Sequence, residues 1–550
     1  MKTLAALRYH PTPFAFGAIA LLALYSLTIP QNHTETEDAF DYAYRVRSGS
    51  TADLIFPHHL IYLPAARALY RTGLFPDAFS MMVRMNVLLG VGAVLLTCRV
   101  ARERFGLGAP AALVASAFLA FSYGFWRYSV AAEVYIPAIF VQALLCVAAF
   151  SVRDNAGHAL LCGILASLTI VTHGPLSAPL AVLAVPMYYV MRRRFRTLGI
   201  YAAVATTVVF LAYYIGWRVD AAESAGLREF VAFIKGPPED FRPFSAATLV
   251  KASLGLGATL TASNLVFAAP PLAARLQSLM PHRNVTEELF MTQSFNPWLA
   301  GLSLLLAIAL AAVAIYMVTR LRFGREPRDR LRGRPVIVAL VAWLVAYAAL
   351  VIVVHPDSPE LWICFLLPLA LAIGVVLDTF STNRALRAPL AFCGLLLACN
   401  LCGMAMIRAQ SSDFNAHKAA GVLAQAQSGD DIYTRDADVF TRYLRYHAAA
   451  GVTVVNCWAG DATETAALLE RPQTVGARRF VFNEVFEPPA YLASRNGEMV
   501  EGLLPLKEKL AGRLQPTLDP RVYLLKPAQL ETSAASDTTA AEAAGPPLAR

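Results

Sequence analysis

The chain has 550 residues, 57% hydrophobic and 15% charged, with a formal net charge of +9 and a mean hydropathy of +0.50. A soluble domain carries roughly 25% charged residues, so this composition excludes an ordinary soluble enzyme and points to a polytopic membrane protein. Most of the basic residues fall in short loops between apolar runs, which is an orientation signal and argues against nucleic acid as the partner.

Met1 to His10 is basic and leads into an apolar run. A cleaved signal peptide needs a small-residue site after that run. Thr28-Ile29-Pro30-Gln31-Asn32 stands there instead, so the run is expected to remain as span one, about Pro13 to Pro30. Lys2 and Arg8 place the N-terminus in the cytoplasm. The loop 31–80 is then outside, with two surface helices expected at Ala39 to Arg47 and His58 to Tyr70. Glu35, Glu37, Asp38, Asp41 and Asp53 lie in this loop together with Phe56-Pro57-His58-His59-Leu60-Ile61-Tyr62. Any one of these carboxylates reads first as a solvated loop residue. Five between residues 35 and 53 of an apolar protein raise a second reading, a catalytic carboxylate at the outer membrane face.

Span two, about Met82 to Val100, returns to Arg99, Arg102 and Arg104. Span three, about Leu107 to Tyr123, goes out to an aromatic turn, Phe125-Trp126-Arg127-Tyr128, followed by Ala132-Glu133-Val134-Tyr135. Aromatic residues suit the interface. Span four runs about Ile136 to Val152, and span five about His158 to Val171, ending outside at His173. Spans six and seven are about Leu176 to Met191 and Leu198 to Trp217. A long outer loop follows, 218–297, in which Leu254 to Ala269 is apolar but carries Thr259, Thr261, Ser263 and Asn264. A full span there would invert every later loop, so a re-entrant or interfacial segment is expected.

Span eight, about Trp298 to Val318, ends at Arg320, Arg322, Arg325, Arg328, Arg330, Arg332 and Arg334, which mark the cytoplasm. Span nine, about Pro335 to Val354, emerges at His355. Span ten, about Leu361 to Leu377, returns to Arg384 and Arg387, and span eleven, about Pro389 to Ile407, leaves the rest of the chain outside. The expected fold class is an α-helical polytopic membrane protein of about eleven spans, occupying residues 1–408.

Residues 409–530 change character. Helices are expected at Asp413 to Gln427, Val439 to Ala450 and Tyr491 to Leu514, and strands at Asp431 to Tyr433, Val452 to Asn456, Phe480 to Asn483 and Val522 to Leu525. This alternation predicts a small extracytoplasmic α/β domain. It holds no Gly-rich phosphate loop. The tail 531–550, rich in Ala, Ser, Thr and Pro, reads as disordered. Seven of the eight cysteines, all but Cys457, fall within or beside spans, where cysteine acts as a small hydrophobe and implies no disulfide framework.

An enzyme working outside the cytoplasm suits a lipid-linked donor, with its tail in the bilayer and its head at the outer loops. Glycosyl transfer needs a carboxylate to take the acceptor proton, and cationic groups or a divalent metal to stabilise the leaving phosphate. Glu37, Asp38, Asp41, Glu133, His58, His59, Arg127, His173 and His355 stand at that level. Each has a plainer reading: Asp41 on the wet face of a helix, His58 and His59 as interface residues, Arg127 snorkelling. Glu133, in the apolar run 130–136, is the hardest to dismiss as a solvated charge.

On Glu37-Asp38 after span one, the Phe56-to-Tyr62 run, Phe125-Trp126 and Ala132-Glu133-Val134-Tyr135, the chain resembles the glycosyltransferase C superfamily, in particular bacterial relatives of protein O-mannosyltransferases. The resemblance covers about Pro13 to Pro186. It implies an inverting transfer from a polyprenyl-phosphate-linked sugar to a glycan, lipid or protein acceptor at a bacterial inner membrane, without nucleic acid. It gives the base role to Asp38, with Glu37 as rival, and a positioning role for acceptor or metal to Glu133. Asp41, His58, His59, Arg127, Tyr135, His173 and His355 are the candidate substrate contacts. Many relatives carry Asp-Glu where this chain has Glu-Asp, which leaves the choice of base open. A transporter or flippase would place charge within the spans or show repeated halves, whereas these spans are nearly free of charge and show no repeat. A non-catalytic scaffold for envelope glycan assembly is the third class, against which the outer polar cluster argues mildly.

Overall fold

The computed structural model describes residues 11–33, 38–220, 226–235, 244–262, 269, 271, 273–275, 289–290, 296–323, 334–378, 387–406, 408, 413–436, 439–458, 460–472, 476–488 and 502–527. Glu37, most of the arginine-rich loop and the tail 531–550 lie outside the described residues. The chain divides into two compact units, Met1–Leu423 with Ala437–Ala448, and Ala424–Asp436 with Ala449–Arg550.

The first unit is helical. Among the described residues, seven helices are long and apolar enough to cross a membrane: Ala78–Glu103, Gly174–Met191, Phe195–Asp220, Pro297–Met317, Pro335–Val354, Pro359–Asp378 and Arg387–Ala405. An eighth candidate is the pair Ala109–Phe121 and Tyr123–Ser129, bent by 63°. Shorter apolar helices occupy Ala15–Leu27, Tyr135–Ala149 and Ala156–Thr172, where spans one, four and five were expected. Fifteen residues of helix rise only about 22 Å, less than the hydrocarbon thickness of roughly 30 Å. The same length limits Ala246–Leu260, which overlaps the expected re-entrant segment. Its start is a capping box of Ser245 and Thr248, and its end is held from the last span, where Asn400 Nδ2 donates to Leu260 O (2.8 Å) and to Phe121 O (2.6 Å).

Polar side chains cap two further helices of this unit. Asp77 caps Ala78–Glu103 by accepting from Ser80 N–H, and Asn155 caps Ala156–Thr172 by accepting from His158 N–H, each at 2.8 Å. Pro179 and Pro186 fall within Gly174–Met191, and residues 179–184 widen into a π-helical turn that absorbs the missing amide hydrogen bonds. The expected surface helices are present as Ala39–Ser48 and, shorter than expected, Tyr62–Tyr70.

The second unit holds a five-stranded sheet: β1 Asp431–Thr434, β2 Thr453–Asn456, β3 Arg479–Phe482, β4 Leu514–Pro516 and β5 Val522–Leu525, in the order β2-β1-β3-β5-β4. The first three are parallel and the last two antiparallel to their neighbours. Four strands match expectation within a residue or two. β4 was not expected: it begins at Leu514, where the helix expected at Tyr491 to Leu514 was to end, and 491–501 of that helix lie outside the described residues. It is a three-residue edge strand closed by Pro516, a position where a missing amide costs no ladder bond. Its core gathers Tyr433, Cys457, Leu469, Val481, Val485, Phe486, Leu506, Leu510 and Leu525. In sequence, the connection from β1 to β2 carries the helix Val439–His447, which belongs to the first unit.

Candidate active site

The 63° bend between residues 121 and 123 is the first cause of the site. Ser122 leaves helical geometry (φ −63°, ψ 132°), and its hydroxyl donates back to Phe118 O at 2.6 Å. The chain then turns into Tyr123–Ser129, which carries Trp126, Arg127 and Tyr128. Trp126 is fully buried and donates from Nε1 to Thr28 Oγ1 (2.9 Å) at the end of the first helix. Gly124 lets this short helix lie against Ala246–Leu260, because a Cβ there would meet Thr259 Cγ2 at 2.7 Å. The next turn is pinned from the second span: Asn86, itself fully buried, donates to Ala131 O (2.7 Å) and Glu133 O (2.6 Å).

Glu133 is 3% exposed, and its Oε1 accepts from the Asp38 N–H at 3.2 Å. The two expected acidic positions, 95 residues apart, are therefore adjacent. Asp38 stands at the N-terminus of Ala39–Ser48 with its side chain 40% exposed. Its Oδ1 receives Arg442 Nη1, and its Oδ2 receives the Tyr42 hydroxyl at 3.2 Å. The Tyr42 oxygen also lies 3.3 Å from His59 Nε2. Burial pushes the Tyr42 hydroxyl well above its ordinary range, and the carboxylates of Asp38, Glu133 and Glu360 add to this, so Tyr42 stays protonated and donates.

From Tyr42 a line of rings crosses the site. His59 stacks on Phe56 with centroids 5.1 Å apart, and it lies 6.0 Å from His173, which lies 5.5 Å from Tyr135. Tyr135 and Tyr128 both donate to Glu360, to Oε2 at 3.0 Å and Oε1 at 2.6 Å. Gly174 N–H donates to His58 O at 2.9 Å, tying the 49–61 segment to the end of the helix Ala156–Thr172, while the His58 side chain is half-buried. Asp41 pairs with Arg45 at 2.6 Å, and Arg45 also lies 4.6 Å over Phe56. Asp41 is thus occupied in a local helix pair. His355 is exposed, and among the described residues its side chain makes no hydrogen bond or ring contact to the cluster.

Arg127 is 3% exposed, and none of its three guanidinium nitrogens meets a hydrogen-bond partner among the described residues. A buried cation without a counter-ion is costly. The ring nitrogens His59 Nδ1 and His173 Nδ1 are likewise buried and unpartnered there. Among the described residues no group of three or more His, Cys, Asp and Glu could hold a metal ion.

Burial first, then the neighbouring His173, His58 and Arg45, push the His59 imidazole down to about 3. The unfolded chain takes up a proton near the ordinary value of about 6.5, and the folded chain does not. Folding is therefore weakened as pH falls from about 6.5, by about 2 kcal/mol from this residue at pH 5. The melting temperature in detergent should fall between pH 7 and pH 5, and His59→Gln should flatten that slope. An unchanged slope in His59→Gln would remove His59 as its source.

Arg442, Tyr42, Asn86, Tyr128 and Glu360 were not among the sequence candidates. Glu360 carried a faint signal, an acidic residue at the mouth of span ten. Arg442 carried none, because it contacts Asp38 across 404 residues.

Residues 78–198 match the sequence model of the protein O-mannosyl-transferase TMEM260 N-terminal domain. A short match at 287–328 is to a bacterial signalling protein N terminal repeat and covers little more than one apolar helix. No curated protein matches the chain in sequence. In structure the chain is similar to ArnT from Cupriavidus metallidurans in the apo state, with TM-score 0.59, 13% identity and coverage of 94% of this chain and 98% of that one. It is similar to the same protein bound to undecaprenyl phosphate, with TM-score 0.55, 12% identity and coverage of 94% and 97%. A weaker likeness is to the Archaeoglobus fulgidus oligosaccharyltransferase, with TM-score 0.49, 15% identity and coverage of 91% and 72%.

Proposed function

Taking the chain as a polytopic membrane protein with the fold of the glycosyltransferase C superfamily, we propose that it moves a sugar from a polyprenyl-phosphate-linked donor to an acceptor hydroxyl on the outer face of a bacterial inner membrane. The observation that carries this reading is Asp38: an accessible carboxylate, oriented at both oxygens, in a ring of buried polar side chains. The TMEM260 match over the spans that surround it and the likeness to a fold known with bound undecaprenyl phosphate support the donor class.

In this reading the acceptor oxygen attacks the anomeric carbon from the side opposite the phosphate, so the configuration inverts. The acceptor proton passes to Asp38 as the new C–O bond forms. The bond to the donor oxygen breaks, and polyprenyl phosphate leaves with its charge facing Arg127. Glu133 holds the Asp38 backbone, and Tyr42 and Arg442 hold its carboxylate. His59, His173 and Tyr135 line the sugar position, with Tyr135 aimed by Glu360. The N-terminus is cytoplasmic, and the 31–80 loop and the second unit are outside.

The test is turnover of a panel of polyprenyl-phosphate sugars by purified protein, with the product anomer assigned by NMR. One donor should give an inverted product. Glu133→Gln, which weakens one long hydrogen bond to Asp38, should lower kcat about 10-fold. A product of retained configuration would overturn the mechanism, and failure of every donor with glycan, lipid and peptide acceptors would overturn the function.

A further inference from the structure

We propose that Arg442 is a positioning residue for the base Asp38, so that the chain beyond the last span completes the catalytic site. This rests on the function proposed above. Arg442 lies on Val439–His447, a helix inserted between strands of the second unit yet packed in the first. It is not a loose end. Tyr446, one turn further on, donates to Asp77 Oδ1 at 3.2 Å and accepts from Phe79 N–H at 3.3 Å. Arg47 Nη2 donates to Tyr446 O at 2.8 Å, and its guanidinium lies 4.5 Å over the Tyr446 ring. Phe40 packs against Tyr443 and Tyr446 with centroids 5.0 and 5.5 Å apart. Residues i and i+4 share a helix face, so these contacts present Arg442 to the Ala39–Ser48 helix, at whose start Asp38 stands.

The pair does little for stability. Its side chains are 25% and 40% exposed, and ion pairs of that kind contribute little. Its consequence is geometric. A carboxylate accepts at about four lone-pair positions. Arg442 takes one on Oδ1 and Tyr42 one on Oδ2. The carboxylate plane is fixed, and the lone pairs left over point in set directions. Without Arg442, Asp38 would turn about the one side-chain hydrogen bond left to its carboxylate among the described residues, from Tyr42, and meet the acceptor hydroxyl less often in line.

The experiment compares full-length Arg442→Met, Arg442→Lys, Asp38→Asn and the Asp38→Asn/Arg442→Met double variant with an undecaprenyl-phosphate-linked hexose as donor. Arg442→Met should lower kcat about 10²-fold with donor KM within about 2-fold, and melting temperature within about 2 °C. Arg442→Lys should recover part of the rate. The double variant should be no slower than Asp38→Asn, because orienting a base that is gone has no further effect. An unchanged kcat in Arg442→Met overturns the proposal, as does a loss confined to KM or losses that multiply in the double variant. If Asp38→Asn turns over like wild type, or no donor reacts, the base assignment itself fails and Arg442's role falls with it. If Asp38→Asn is dead and Arg442→Met is not, only the present proposal falls.

Discussion

Asp38→Asn should lower turnover of the lipid-linked donor by about 10³-fold while leaving insertion, folding and donor affinity close to wild type. Asparagine keeps the volume and one accepting oxygen, so the Tyr42 or Arg442 hydrogen bond can persist. What it loses is the capacity to take a proton from the acceptor. The loss should therefore appear in kcat and not in KM, and donor hydrolysis by water should fall with transfer, because water needs the same base. Single-turnover rates and a separate measurement of undecaprenyl phosphate binding distinguish the two parameters. If transfer survives in Asp38→Asn and vanishes in Glu37→Gln, the base is the neighbour. If it survives in both, the first-loop carboxylates are not the base.

Among the described residues, seven of the eleven expected spans are helices long enough to cross, and these were legible because a bilayer imposes a one-dimensional rule. Every backbone polar group must be satisfied within its own helix, so an apolar run of sufficient length is a helix whatever packs beside it. Pro335–Val354 was read to the residue. The bend at Ser122 falls one residue before the expected end of span three at Tyr123, but the short helix that follows it was expected only as a turn, because the cause of the bend is a local change of ψ. Local pairs were also accessible in principle: Asp41 with Arg45 and Asp38 with Tyr42 are both i,i+4 in sequence. The resemblance gave Asp38 and Glu133 separate roles, base and positioning of acceptor or metal, and did not bring the two together as the Asp38 N–H to Glu133 hydrogen bond does. The contacts that aim the cluster were not anticipated, because they join residues 404 positions apart, as in Arg442 with Asp38, or 232, as in Tyr128 with Glu360. Hydropathy and spacing carry no record of such pairs. Residues 409–530 were expected as one domain apart from the tail, whereas Phe414–Leu423 and Val439–His447 belong to the first unit. An amphipathic helix reveals that it has an apolar face, not which surface covers it.

Arg127→Met should separate stability from function in opposite directions. Arg127 is buried in the short helix Tyr123–Ser129 beyond the 63° bend, with three guanidinium nitrogens that find no partner among the described residues. Replacing such a cation with an apolar chain of similar volume removes a desolvation cost, and buried ionic groups replaced in this way often stabilise by about 1–4 kcal/mol. The variant should melt several degrees higher. If the guanidinium meets the donor phosphate, the same variant loses charge-assisted hydrogen bonds that strengthen as the leaving group gains charge. Its kcat/KM should fall by about 10²-fold or more, and its affinity for undecaprenyl phosphate should fall as well. Arg127→Lys should keep the charge without the planar fork and lie between the two. A lower melting temperature with unchanged phosphate affinity would make Arg127 a structural cation and remove it from the donor site. A higher melting temperature with lost affinity is what a group held unsatisfied for a ligand should give, since no internal partner is left stranded when it is replaced.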